Sequence, residues 1–170
     1  MKNKGFSLVE LIIVIAIMAI MIGIIAPQLI IYIGKTKVSN DIQICDNISE
    51  ALNATIIDYV AKPEIDSESE KLVVALQSEK PVKLASYGDS SPFAQEVIIY
   101  VGISCFGSGA NKYFKSKIAK NYGEIYAQTY EGQIIVWINN SDSSGKDKDK
   151  NTCTDASALQ WGVIASDYPN

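Results

Sequence analysis

The chain has 170 residues, 48% of them hydrophobic and 20% charged, and a formal net charge of −4. That is too apolar for a disordered chain, and long enough for one domain plus an anchor or tail. All its basic residues are Lys; the lack of Arg and of a net basic charge argues against sequence-specific nucleic-acid binding, and the lack of His excludes a His-dependent triad and a His zinc site.

The chain opens Met1-Lys2-Asn3-Lys4-Gly5, short and basic, then runs Phe6-Ser7-Leu8-Val9-Glu10. No charged residue occurs from Leu11 to Gly34. As a helix this run is roughly 36 Å long, enough to cross a ~30 Å hydrocarbon core with some tilt. Lys2 and Lys4 ahead of it put the amino end in the cytoplasm and the remainder outside. It is too long for the apolar region of a secretory signal peptide, and no A-x-A cleavage site follows it. An ordinary single-span anchor is the other plain reading. Against that stands Glu10, an ionisable side chain in the first turns, costly in lipid and therefore a functional candidate. Pro27 has no N–H to offer the carbonyl of Gly23, and Gly23 itself weakens a helix, so a kink or soft spot is expected over Gly23–Pro27.

From Lys35 the pattern becomes amphipathic. Val38, Ile42, Cys45, Ile48, Leu52, Ile56 and Tyr59 recur at spacings of three and four, with Lys35, Lys37, Asp41, Asp46 and Glu50 falling between them. Pro63 is a stop signal. One helix is thus predicted from Phe6 to about Ala61, its second half burying the stripe against the rest of the chain.

Ser67-x-x-Glu70 predicts a capping box and a short helix over 67–77, carrying Leu72, Val73 and Leu76 and closed by Pro81. Gly88 to Pro92 reads as a turn-rich loop. The β-branched run from Glu96 to Ser104 predicts a strand. Asn111 to Lys120 is ambiguous between helix and loop. Ile125–Tyr130 and Gln133–Ile138 flank Glu131-Gly132, the pattern of a hairpin with a two-residue turn. Ser141–Lys150 reads as a solvated loop and Trp161–Ala165 as a last strand. The elements predict an α+β fold, a long N-terminal helix packed on an antiparallel sheet.

Cys45, Cys105 and Cys153 contain no CxxC pair, which excludes zinc-ribbon and thioredoxin-like motifs. Cys45 lies on the stripe and reads as a small buried hydrophobe. Cys105 and Cys153 are the candidate disulfide; a bridge would contribute about 3–4 kcal/mol in the loop-entropy account. Gly107 to Lys112 lacks the spacing and the hydroxyl residue of a phosphate loop. The carboxylates from Asp142 to Asp149 are interleaved with Lys and lack the closing Glu of a calcium loop. No catalytic, cofactor-binding or metal site is expected, and the chain is not expected to be an enzyme.

Lys4-Gly5-Phe6-Ser7-Leu8-Val9-Glu10, followed at once by the apolar run, resembles the type III signal of type IV prepilins. The resemblance implies a leader at residues 1–5, cut between Gly5 and Phe6 by a prepilin peptidase, and N-methylation of Phe6. It implies a pilin-like lollipop: residues 6–34 as the transmembrane and filament-core half of the helix, 35–62 as its amphipathic half, and 63–170 as the globular head. Glu10 would pair with the Phe6 ammonium of an adjacent subunit, or of its own, so that both residues govern assembly. The helix would kink at Gly23 and Pro27 and could melt nearby on assembly. The implied protein is a structural subunit of a type IV pilus or similar surface filament, serving adhesion, motility or aggregation. It starts as a single-pass membrane precursor and ends in an extracellular filament. The implied partners are other copies of itself, the peptidase, an inner-membrane assembly platform with its ATPase, and membrane lipid before assembly; nucleic acid is not expected. A pseudopilin or minor pilin of a type II secretion or competence system is the alternative, and a membrane-tethered enzyme or receptor a more distant one.

Overall fold

The computed structural model describes residues 7–61, 66–107, 109–116, 119 and 123–140. Helix α1 spans Leu8–Val60, and its backbone stays helical through Gly23 and Pro27. Two turns beyond Pro27, the Thr36 hydroxyl donates back to the Tyr32 carbonyl at 3.0 Å. That bond competes with the helix ladder beside Gly34.

Up to Ile33 every described residue of α1 is exposed; from Val38 onward one side is buried. The buried stripe is Val38, Asp41, Cys45, Ile48, Ala51, Leu52, Thr55 and Tyr59. Ile42 and Ile56, expected on its centre line, are half-buried at its margin. Asp41, expected on the polar side, is fully buried. Hydropathy spacing places the centre of a stripe only to within a residue, and it scores a carboxylate as solvent-facing whatever its partners.

Helix α2, Ser67–Gln77, lies where it was expected, but its cap is Asp66 rather than Ser67. The Asp66 carboxylate accepts from the amides of Glu68 and Ser69 at 3.2 and 3.0 Å. Hydrogen bonds from Ser69, the hydroxyl first and then the amide, hold the Asp66 carboxyl below its ordinary range. A two-residue strand β1, Val82–Lys83, and a 3₁₀ turn over Leu84–Ser86 follow.

The strand expected over Glu96–Ser104 is instead a helix, α3, Pro92–Val101. Its ends explain the difference. Ser91 accepts from the Ala94 amide at 3.2 Å, Pro92 occupies the first turn, and Gly102, at φ 78°, donates to the Ile98 carbonyl at 2.8 Å. Such start and stop signals outweigh the β preference of a Val-Ile-Ile-Tyr-Val run, which depends strongly on context. The buried residues Phe93, Ala94 and Val97 lie at helical spacing, and Phe93 meets Tyr59 edge-on, ring centroids 5.0 Å apart. Ala110–Tyr113 forms a 3₁₀ turn within the segment that was ambiguous.

β2, Gly123–Tyr130, and β3, Gln133–Asn140, form the expected hairpin, pairing Tyr130 with Gln133 across Glu131-Gly132. Both turn residues have positive φ, 50° and 79°, the twist that a two-residue hairpin turn needs. The sheet is antiparallel in the order β1-β2-β3. Ile125, Ala127, Ile134, Val136 and Ile138 share the face that joins the core against α1. Trp137 lies on the opposite face, buried and stacked on Tyr126 at 6.0 Å. A long helix on a small antiparallel sheet, the architecture is the α+β lollipop expected. Ser141–Lys150 and Trp161–Ala165 lie outside the described residues.

Candidate functional site

The exposed half of α1 is the candidate site, and its first turn is built by a capping box. Ser7 takes an extended backbone, its hydroxyl accepts from the Val9 amide at 3.4 Å, and the Glu10 carboxylate accepts from the Ser7 amide at 2.9 Å. A Glu at the third helical position answering a Ser cap satisfies two otherwise unpaired amides. Glu10 also sets negative charge against the positive end of the helix dipole. The sequence reading treated Glu10 as a lone charge seeking a cation and missed this bond, although Ser7-x-x-Glu10 is the box pattern itself. Gly5 and Phe6, the expected cleavage and methylation positions, lie outside the described residues.

From Leu8 to Ile33 the helix shows apolar side chains on every side, with nothing of the head against them. Soluble proteins rarely leave such a continuous apolar surface uncovered. The 18-residue apolar window of α1 has none of its surface buried, so its length and composition suit a membrane span.

Asp41, Asn53 and Ser49 help to seat the other half of α1 in the head. The Asp41 carboxylate accepts from the Lys115 amide at 2.7 Å and from the buried Ser116 amide at 2.8 Å. The Asn53 side chain pairs with Ile134 on β3, Oδ1 accepting its N–H at 2.8 Å and Nδ2 donating to its carbonyl at 2.9 Å. The Ser49 hydroxyl donates to that same carbonyl. Asn53 therefore acts as a short surrogate strand on the outer edge of β3, which would otherwise present unpaired backbone groups. Nothing in the local sequence marks these residues, because their partners lie more than seventy positions away.

Cys45 and Cys105 are buried thiols. Burial, reinforced by Asp46 and Asp41, pushes the Cys45 thiol far up, and burial pushes the Cys105 thiol up to about 12. Neither is a nucleophile in this state. Cys153, the expected partner of Cys105, lies outside the described residues. Among the described residues, no three His, Cys, Asp or Glu side chains are grouped to hold a metal ion. A groove of about 370 Å³ opens where the end of α1 meets the β2–β3 turn, and a smaller one of about 210 Å³ lies between α2 and Tyr87.

The family described as the prokaryotic N-terminal methylation motif matches residues 1–26, the stretch that runs through the capping box into the apolar helix. No curated protein and no solved structure matches the chain. The motif and the apolar helix together fit a membrane-anchored precursor processed at its amino end.

Proposed function

We propose, from its N-terminal methylation signal, that the chain is a type IV prepilin and the structural subunit of a type IV pilus or similar surface filament. The prepilin peptidase cuts between Gly5 and Phe6, Phe6 is N-methylated, and residues 6–34 move from the membrane into the filament core. The observation that supports this reading best is continuity. The methylation motif leads without a break into one helix whose first half is apolar on all sides and whose second half is anchored in the head. Lipid and a bundle of identical helices are the two surroundings that satisfy such a first half. The assembly platform and its ATPase supply the transfer between them. Gly23, Pro27 and the back-bonded Thr36 supply give in the helix as it repacks.

Intact-mass measurement of filaments sheared from the producing cell tests this reading. The dominant species is expected to begin at Phe6 and to carry roughly 14 Da for one methyl group. A filament subunit that keeps Met1, or surface filaments without this chain, would overturn it. Under non-reducing conditions the same spectrum reads whether Cys105 and Cys153 are joined.

A further inference from the structure

The head is electrically polarised along α1. At the end next to the apolar half, Asp41 holds the amides of Lys115 and Ser116, which brings the 110–116 turn to that level of the helix. Lys37, Lys112 and Lys115 are exposed there. The Lys112 ammonium lies 4.9 Å from the ring centroid of the half-buried Tyr113, a tip both cationic and apolar. Roughly 30 Å further along the helix axis the sign reverses. Ile57 and Val60, 69% and 56% exposed, line the larger groove together with Thr129 and Gly132. Asp58 stands between them in the chain, Glu131 adjoins Gly132 in the hairpin turn, and Glu79 follows close on Gln77, another lining residue. All three carboxylates are exposed; Lys80, beside Glu79, leaves the excess negative.

We propose that this groove seats a second copy of the same chain, which enters it with its Lys112–Tyr113 tip while Lys37 and Lys115 approach Asp58 and Glu131. The inference rests on the filament reading and adds to it a contact between heads. An apolar centre with a charged rim is the usual anatomy of a specific interface, and opposite charges on the two faces set its register. The two faces lie on opposite ends of one head, so the contact is head-to-tail and leaves a free face on each added copy. Such a contact propagates instead of closing.

The test uses the full chain in the producing cell, with processing checked by mass, head folding by protease resistance, and sheared filament yield normalised to processed subunit. Asp58→Lys with Glu131→Lys, and separately Lys37→Glu with Lys115→Glu, should each cut the yield by about tenfold or more. All four changes together should restore it to within about threefold of the wild type, because the attraction is reversed and not removed. Single-ended variants that assemble like the wild type would overturn the proposal, as would a fourfold variant no better than either pair. Loss on changing the acidic end alone would mean that the groove seats something else, the chain's own tail or a foreign molecule, and would equally overturn it. A wild type that makes no filaments removes the filament reading and this contact together; filaments indifferent to the reversals remove the contact alone.

Discussion

Asp41 is the residue on which the junction of helix and head turns. Its carboxylate is fully buried, and its two oxygens take the amides of Lys115 and Ser116. A buried carboxylate is tolerated when its lone pairs are filled in this way. Asp41→Ala leaves the buried Ser116 amide without an acceptor and should cost the head about 2–4 kcal/mol. Asp41→Asn keeps one acceptor oxygen but turns an NH₂ toward the other amide, and should fall between. Ser116→Ala is the contrast. The Ser116 hydroxyl is buried with no partner among the described residues, so its removal should be neutral or mildly stabilising. Denaturant midpoints at constant slope measure all three, and an Asp41→Ala midpoint equal to the wild type would show that the carboxylate is not the anchor. In the sequence this residue reads only as one of the charged positions between the stripe residues. A pattern read along the chain cannot see amides that folding delivers from far away.

Among the elements, legibility followed how local each determinant is. The hairpin was readable because alternation and a Glu-Gly turn lie within the one contiguous stretch Gly123–Asn140. Helix α3 was misread because its N-cap, Ser91, lies well ahead of the Glu96–Ser104 stretch, and its C-cap, Gly102, falls inside that stretch among β-branched residues. Strand β1 exists only because Val82 and Lys83 find Ala127 and Tyr126, and so had no local signal. The α1 stripe was readable in period but not in exact phase, and the phase separates two substitutions. Ile48 is fully buried, whereas Ile56 is half-buried at the margin. In a fragment starting near Lys35, Ile48→Asp buries an unpaired charge and should abolish cooperative unfolding. Ile56→Asp can turn its carboxylate to water and should cost only about 1–2 kcal/mol. Thermal melts of the two variants check this; equal loss would mean that Ile56 lies as deep as Ile48, and a folded Ile48→Asp would mean that the stripe does not face the sheet.

At the scale of the whole molecule, the proposed filament would require one helix to satisfy two surroundings, lipid before assembly and packed neighbours after it, and Glu10 is the ionisable group that would meet both. In the single chain its carboxylate accepts the Ser7 amide within the capping box and stays exposed. In the proposed filament core, which would exclude water, a carboxylate without a cation costs several kcal/mol, and on that reading the Phe6 ammonium of a neighbouring copy would offset the cost at one axial offset only. The capping box and the ion pair can be separated by chemistry. Gln at the third helical position closes a capping box as Glu does but carries no charge. Glu10→Ala removes both interactions, and Glu10→Gln removes the ion pair alone. If the charge sets the register, both variants should be processed normally, keep a folded head, and yield about tenfold fewer filaments or less, alone or mixed with wild-type subunits. If Glu10 serves only to start the helix, Glu10→Gln should assemble like the wild type while Glu10→Ala does not. Electron microscopy of sheared fractions, with processing read by mass, tells these apart: abundant filaments from Glu10→Gln would refute the pairing and leave the capping box as the whole role of the residue.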